Sequence, residues 1–182
     1  MQEAGSIARQ SAEAGNADGQ RTLNVVDIVA GTSVDGPGLR TSVYLAGCTH
    51  HCPECHNPQT WEADAGHVMS VDEIMAEVGR HGFDVTLTGG DPMFNAAAVI
   101  PLARRLREAG YGLWCYTGYR YEQVCADPAK AALLEYVDVL VDGPYIHAQR
   151  DISLLFRGSS NQRLIDCRRS TPENVVLWSS DF

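Results

Sequence analysis

The sequence contains no apolar run long enough to cross a bilayer, and its N-terminus lacks the basic-then-apolar order of a secretory signal. Positive charge is also scarce, since 14 Lys and Arg residues stand against 23 Asp and Glu residues and the formal net charge is −9. Contact with a long polyanion needs clustered Lys and Arg, so this balance disfavours nucleic acid as a partner. We therefore expect a cytoplasmic protein that binds neither a membrane nor nucleic acid.

Length and composition predict one folded domain preceded by an extension. The 182 residues suit a single domain, and 45% of them are hydrophobic, an ordinary value for a globular chain. Residues 1–20 are small and polar, with Ile7 as the main apolar side chain, and cannot bury enough surface to offset the entropy of ordering. We expect residues 1–20 to be a disordered extension and residues 21–182 to form the single domain.

Apolar periodicity predicts alternating strands and helices in this domain. Short β-rich or buried runs indicate strands at 23–29, 39–46, 84–88, 113–116 and 137–141. Helical spacing indicates helices at 70–82, 101–110, 121–126 and 129–134, the first opened by a Ser70–Glu73 capping box and the second by Pro101. Such alternation is typical of right-handed βαβ units, but too few of them fit for an eight-fold barrel. The predicted fold is α/β, an incomplete (β/α) barrel with a mostly parallel sheet.

Four loops with polar or metal-binding residues directly follow predicted strands. They are the cysteine loop at 47–58, Thr88–Asp91, Thr117–Gly118 and Asp142–Gly143. In parallel α/β sheets the chemistry lies beyond the carboxyl ends of the strands. We therefore expect these loops to meet at one rim of the sheet.

Three of the six cysteines lie within eight residues, at Cys48, Cys52 and Cys55. Crowded thiols in a reducing compartment usually bind metal or carry out redox chemistry. Three thiolates can hold a four-iron cubane cluster and leave one iron open for chemistry. The pattern therefore predicts an open iron–sulfur cluster.

Two other metal centres are compatible with the same cysteines. A structural zinc site could add a histidine of the loop, His50, His51 or His56, since zinc accepts mixed cysteine and histidine ligands. A saturated electron carrier would need a fourth ligand, for which Cys115 at a strand end is the nearest candidate. The spacing alone leaves both alternatives open.

The spacing Cys48-x-x-x-Cys52-x-x-Cys55 resembles the cysteine signature of the radical S-adenosylmethionine (SAM) superfamily. That family tends to have an aromatic ring after the last cysteine, and His56 occupies the place. The resemblance implies that the three cysteines hold a [4Fe-4S] cluster and that SAM binds its open iron, with Glu54, Cys55 and His56 beside it. It also implies reductive cleavage of SAM to methionine and a 5′-deoxyadenosyl radical.

The segment Thr88-Gly89-Gly90-Asp91-Pro92 also follows a predicted strand. Glycines at a strand end permit close approach of a ligand to the backbone. In radical SAM proteins a similar GGE segment receives the methionine amino group, so the resemblance implies that Gly89, Gly90 and Asp91 bind SAM. Asp91 replaces the more general Glu.

Further motifs narrow the resemblance to activases of glycyl radical enzymes. Asp35-Gly36-Pro37-Gly38-Leu39-Arg40 is a turn sequence that is similar to a DGPG-R segment of these activases. The segments 114–119, 139–145, 151–154 and 156–163 resemble the family of anaerobic ribonucleoside-triphosphate reductase-activating proteins, and the likeness runs from about Val25 to Asp166. It implies that the substrate is a glycine of the reductase and that a low-potential donor such as flavodoxin supplies electrons.

Three alternatives share the cysteine loop. They are an activase of another glycyl radical enzyme, a small-molecule radical SAM enzyme similar to 7-carboxy-7-deazaguanine synthase, and a zinc-binding adaptor without catalysis. No His/Asp or paired-carboxylate motif demands acid–base catalysis, which agrees with radical chemistry.

The C-terminal end carries a local excess of positive charge on an acidic chain, from Arg150, Arg157, Arg163, Arg168 and Arg169. Our hypothesis is that this end docks an acidic face of the reductase.

Overall fold

A computed structural model describes residues 18–179, in which seven strands form one sheet and four helices are complete. The strands are β1 Thr22–Thr32, β2 Arg40–Leu45, β3 His67–Ser70, β4 Asp84–Gly89, β5 Leu113–Tyr116, β6 Val139–Asp142 and β7 Arg163–Asp166. The helices are α1 Val71–Gly79, α2 Ala96–Glu108, α3 Tyr121–Ala126 and α4 Pro128–Leu134. Short 3-10 turns lie at Pro58–Thr60 and His147–Gln149. None of the helices between residues 18 and 179 is long and apolar enough to span a bilayer.

The sheet is mixed, so the prediction of a mostly parallel sheet is wrong. The strand order is β3-β1-β2-β4-β5-β6-β7, and of its six neighbouring pairs three are parallel (β2/β4, β4/β5 and β5/β6) and three are antiparallel. The connection between β1 and β2 is a short turn, which can join only antiparallel neighbours. Residues 143–162, between β6 and β7, contain no α-helix that could form a parallel crossover, and β7 pairs antiparallel with β6.

The sheet has two edges among the described residues, β3 and β7. A linear strand order is that of an open sheet, and the incomplete (β/α) barrel stays a prediction. Neither edge strand was predicted, because a four-residue segment gains its β conformation from a distant partner more than from its own sequence.

The two faces of the sheet are covered differently. Alternate strand residues point to opposite faces, and Leu113, Cys115, Leu140 and Ile165 pack with all four helices in the main core. The intervening residues, Trp114, Val139, Val141 and Leu164, form a second core on the other face with Phe156 and Trp178. The helices therefore occupy one face, and loops and the C-terminal segment cover the other.

The face without helices is polar at β2 and β4. Arg40 is 2% exposed and donates from Nε to Thr86 Oγ1 (2.7 Å), and Ser42 donates to the Asp35 carboxylate (2.7 Å). Thr86 in turn donates to the Asp35 carbonyl at 2.8 Å. These bonds fix the turn before β2 beneath the carboxyl ends of the parallel strands, where the cysteine loop begins.

Two details of the helices bear on the predictions. The capping box of α1 is present, with the Ser70 hydroxyl accepting from Glu73 N at 3.2 Å. Helix α2 does not open at Pro101 as predicted but at Ala96, because three alanines favour helix and the Asn95 carbonyl accepts first-turn bonds. Pro101 therefore lies inside the helix.

Residues 1–17 of the predicted extension lie outside the described residues. Asp18, which does fall within the described part, forms an ion pair with Arg104 of α2.

Candidate metal and cofactor site

The cysteine loop leaves the end of β2 and is tied at its base to two other segments. Gly47 N donates to the Thr60 carbonyl at 2.8 Å, and Cys48 N donates to the Trp61 carbonyl at 3.0 Å. The Gly47 carbonyl accepts from Asp91 N at 2.8 Å, which connects the loop to the end of β4. The thiols are thus held on a backbone that is anchored on both sides.

All three cysteines line one cavity of about 180 Å³ at the carboxyl ends of the parallel strands. All four of the loops that were expected to converge contribute to the lining of this cavity, which confirms the predicted rim. Besides the cysteines, the lining residues from these loops include His50, Thr88, Gly89, Gly90, Thr117, Gly118 and Gly143. Within the loop, Cys55 N donates to the Cys52 carbonyl at 3.1 Å, and Asn57 N points at Cys55 Sγ at 3.4 Å.

Burial raises the pKa of the Cys48 and Cys52 thiols above the ordinary value. Removal from water disfavours the thiolate, and the neighbouring Asp91 carboxylate acts in the same direction. A cationic metal centre offsets both effects, because it binds the thiolate and releases the proton. The cavity is therefore better suited to metal-bound thiolates than to free ones.

The chemistry of this donor set, three thiols on one cavity, fits an iron–sulfur cluster. Among residues 18–179 no three His, Cys, Asp or Glu side chains converge on a point where a single ion would bind. A zinc ion needs such convergence at about 2.0–2.3 Å, whereas each thiolate on a cubane binds a different iron. Cys115, the candidate fourth ligand, is fully buried and packs with the helices on the opposite face of β5. The three loop cysteines are thus the thiols that this cavity offers.

Gly89 and Gly90 line the cavity beside the cysteines. A Cβ on Gly90 would lie 2.5 Å from the Gly47 carbonyl oxygen and 2.8 Å from that of Thr60. Only glycine permits this contact between the end of β4 and the base of the cysteine loop, which explains the residue type at position 90.

The Asp91 side chain is directed inward. It is 2% exposed, and it is not among the residues that line the cysteine cavity. Its Oδ2 accepts from Thr117 Oγ1 and Gly118 N, both at 3.0 Å, and its Oδ1 accepts from Met93 N at 2.9 Å. A direct contact of this carboxylate with SAM stays a prediction.

His50, which the sequence suggested only as a possible zinc ligand, is a residue of this site. Its Nε2 lies 2.9 Å from Asp91 Oδ2, and its ring packs edge-on against Tyr119 with centroids 4.5 Å apart. A Cβ on Gly118 would lie 2.3 Å from the imidazole. His50 thereby connects the cysteine loop to the loops after β4 and β5, and its position two residues after Cys48 was the available signal.

His56 and Glu54, the two residues beside Cys55 that were predicted to lie next to SAM, differ in their position relative to the cavity. His56 lines the cavity, with its ring centroid 5.0 Å from that of Tyr145. Glu54 is exposed, with φ at 58°, and is not among the lining residues.

The remaining lining residues of the cysteine cavity belong to segments that were selected from the sequence only by their resemblance to known activating proteins. Asp35, at the DGPG turn, lines the cavity, and so do Tyr116, Gly158 and Gln162. Gln162 accepts from Gly158 N at 2.9 Å and donates to the Gly143 carbonyl at 3.1 Å, which holds the two loops together. The Tyr116 hydroxyl donates to the Phe156 carbonyl at 2.7 Å, and burial raises the pKa of Tyr116 well above its ordinary value.

Two arginines that the sequence singled out, Arg40 of the DGPG-R segment and Arg163 of the basic C-terminal end, have structural roles. Arg40 is buried beneath Trp114 and donates to the Val85 carbonyl at 2.6 Å. Arg163 forms ion pairs with the fully buried Asp142 and with Glu122. Arg163 therefore supports the fold, and its part in docking stays a prediction.

Two other basic side chains at the C-terminal end also form contacts within the fold. Arg168 pairs with Asp138, and Arg157 donates to the Gln162 carbonyl at 3.0 Å. Of the five arginines at this end, Arg163 and Arg168 are thus paired with carboxylates within the fold.

Comparisons with known proteins identify relatives over most of the chain. The family described as a 4Fe-4S single cluster domain matches residues 34–165. The anaerobic ribonucleoside-triphosphate reductase-activating protein of Vibrio cholerae is 39% identical over 71% of this chain and 88% of that protein. The proteins of the same name from Escherichia coli K12 and from phage T4 are 35% and 34% identical, over 71% and 72% of this chain and 89% and 86% of theirs.

Among solved structures, QueE from Escherichia coli has a similar fold, with a TM-score of 0.50 and 22% sequence identity. The match covers 59% of this chain and 57% of QueE. At this identity the likeness concerns the fold alone.

Proposed function

Because the chain belongs to the family of anaerobic ribonucleoside-triphosphate reductase-activating proteins, we propose that it generates a glycyl radical on an anaerobic ribonucleoside-triphosphate reductase. The observation that carries this proposal is the cavity at the strand ends, where Cys48, Cys52 and Cys55 lie together with two glycines of the β4 end. Glycine suits the reaction because its Cα is unhindered.

In this proposal Cys48, Cys52 and Cys55 would hold a [4Fe-4S] cluster with one iron open to SAM. When bound there, the cluster would supply one electron that breaks a carbon–sulfur bond of SAM, giving methionine and a 5′-deoxyadenosyl radical, and that radical would leave as 5′-deoxyadenosine with the Cα hydrogen of the glycine. The protein contributes placement of the cofactors and exclusion of water. The match to the 4Fe-4S single cluster domain supports the cluster.

We propose that the methionine end of SAM binds at Gly89 and Gly90, which line the cavity without side chains. Asp91 supports this site, either through its own carboxylate or by holding the surrounding loops through its buried hydrogen bonds. His56 borders SAM beside Cys55, and Glu54 approaches it through the backbone of the same loop. These roles follow the resemblance to radical SAM enzymes.

The proposal extends to the partners and to the fold. A low-potential donor such as flavodoxin reduces the cluster, and the reductase is the protein substrate. We place the enzyme in the cytoplasm, where thiols stay reduced. We also take the open sheet, with its helices on one face, as an incomplete (β/α) barrel of the radical SAM type.

The decisive experiment is electron paramagnetic resonance on the anaerobically reconstituted protein, reduced and mixed with SAM and the anaerobic reductase of the same organism. A glycyl doublet on the reductase is the expected result. Cys52→Ala should lose both the cluster and the doublet, whereas Cys125→Ala, outside the cavity, should retain them. A protein that takes up zinc, forms no cluster and ignores SAM would be an adaptor, and the proposal would be wrong.

A further inference from the structure

The C-terminal segment, residues 167–179, turns back after β7 and runs antiparallel along the outer edge of that strand. Asp166 N donates to the Val176 carbonyl at 2.9 Å, and Trp178 N donates to the Leu164 carbonyl at 2.8 Å. We call residues 167–179 the C-terminal strap. The strap lies beyond the part of the chain that matches the 4Fe-4S single cluster domain, residues 34–165.

The indole ring of Trp178 packs against two aromatic side chains of the second core. Its centroid lies 5.0 Å from that of Trp114 and 6.2 Å from that of Phe156, and the rings of Trp114 and Phe156 are 5.5 Å apart. Each pair meets edge to face, an arrangement that aromatic rings prefer. The three rings therefore form one cluster, to which the C-terminal strap contributes Trp178.

Phe156 connects this aromatic cluster to the cysteine cavity. Its φ is 57°, a left-handed conformation that is unfavourable for a residue with a Cβ and persists where the surrounding structure holds it. The Phe156 carbonyl accepts from the Tyr116 hydroxyl at 2.7 Å, and Gly158, two residues further on, lines the cysteine cavity together with Tyr116. Packing on the Phe156 ring thus helps to fix the backbone that carries Gly158.

Trp114 connects the same cluster to the opposite side of the cavity. The Arg40 guanidinium lies over the Trp114 ring, 5.5 Å from its centroid, and Arg40 Nε donates to Thr86 Oγ1 at 2.7 Å. Thr86 donates in turn to the carbonyl of Asp35, which lines the cysteine cavity. The aromatic cluster therefore supports lining residues from two separate loops.

From these contacts we propose that Trp178 is a positioning residue for the reaction at the cysteine cavity, because it holds the Phe156 segment and, through that segment, Gly158. Trp178 is not among the residues that line the cavity, so its effect passes through Phe156. The inference rests on the proposed function and adds to it a residue outside the matched part of the chain.

The first measurement is hydrogen exchange of the full, anaerobically reconstituted chain, followed by mass spectrometry. Trp178→Ala should speed exchange in residues 150–162 by about tenfold or more, because a cluster that loses one of its rings resists local opening less. Exchange in α2 should stay within about twofold of that in the unmodified protein, since α2 packs in the main core on the other face of the sheet.

Two variants control for the loss of the indole ring. Leu177→Ala is the matched control, because Leu177 is 59% exposed and its side chain alternates with that of Trp178 along the same strap. Trp178→Phe keeps an aromatic ring in the cluster. Both variants should keep exchange in residues 150–162 within about threefold of the unmodified protein.

The second measurement is the rate of glycyl radical formation on the reductase, followed by electron paramagnetic resonance with all variants matched for bound iron. Trp178→Ala should lower this rate by about tenfold or more, because a displaced cavity wall no longer keeps the reacting groups aligned. Leu177→Ala and Trp178→Phe should stay within about threefold of the unmodified protein.

Equal exchange in Trp178→Ala and Leu177→Ala would overturn the proposal. Exchange that accelerates in α2 as much as in residues 150–162 would also overturn it, since Trp178 would then act on general stability. A local opening that leaves the radical rate unchanged would do the same. If the unmodified enzyme forms no glycyl radical at all, the proposed function has failed, whereas the exchange measurement decides on its own whether Trp178 holds residues 150–162.

Discussion

The buried carboxylate of Asp91 yields the sharpest prediction for the stability of the site. Replacing Asp91 with Ala leaves the backbone N–H groups of Met93 and Gly118 without their acceptor and also removes the contacts to Thr117 and His50. An unsatisfied buried donor costs about 1–3 kcal/mol, so the two backbone groups alone predict a loss of about 2–6 kcal/mol in the free energy of unfolding. We expect a loss of about 4 kcal/mol.

The measurement is urea unfolding of the cluster-free protein, followed by tryptophan fluorescence under anaerobic conditions with a chelator, so that metal binding does not contribute to stability. Asp64→Ala is the control, since Asp64 is exposed and should change the free energy of unfolding by less than about 0.5 kcal/mol. If Asp91→Ala is no less stable than Asp64→Ala, the carboxylate does not hold the loops together and the reasoning is refuted.

The variant Asp91→Asn separates this structural role from direct contact with SAM. It preserves the shape of the side chain but replaces one acceptor oxygen with a donor. A role in holding the loops predicts lower stability, while the SAM dissociation constant of the reconstituted enzyme rises less than about threefold. A direct bond to the methionine amino group predicts the reverse, with SAM affinity reduced about tenfold or more and stability nearly unchanged.

Two further predictions concern the framework of the site. Arg163→Ala leaves the buried Asp142 without its ion-pair partner and should lower the free energy of unfolding by about 3–5 kcal/mol in a urea titration. Arg80→Ala breaks the exposed pair with Glu77 and should lower it by less than about 1 kcal/mol in the same titration. Gly90→Ala places a methyl group 2.5 Å from the Gly47 carbonyl oxygen and should reduce the amount of iron bound after reconstitution. Gly79→Ala adds its methyl group in open space and should bind as much iron as the unmodified protein. Equal effects within either pair would contradict the packing on which these predictions depend.

Local sequence was sufficient to predict the loops that carry the chemistry. Cys48, Cys52 and Cys55 lie in one loop, and the glycines at the end of β4 follow a short segment rich in β-branched residues, so both features could be assigned without knowledge of the fold. Their convergence follows from the parallel direction of the central strands.

Contacts between distant segments could not be predicted in the same way. The bond between His50 and Asp91 joins residues 41 positions apart, and the pair of Arg163 with Asp142 depends on the antiparallel pairing of β6 and β7. The sequence presented Arg163 only as one of several positive charges, and therefore suggested docking. Burial of its partner, which is a property of the folded chain, assigns it to the framework.

The register of β5 determines which of its side chains can take part in the chemistry. Because side chains alternate across a strand, Cys115 packs with the helices while its neighbours Trp114 and Tyr116 face the opposite side, where Tyr116 reaches the cavity. A shift of one residue would exchange these positions, bringing the thiol to the cavity and the phenol into the main core. Packing in the main core holds this register, since Leu113 and Cys115 are both fully buried there. Cys115 is therefore kept from adding a fourth thiolate to the cavity for a packing reason, since it lies on the other face of the sheet.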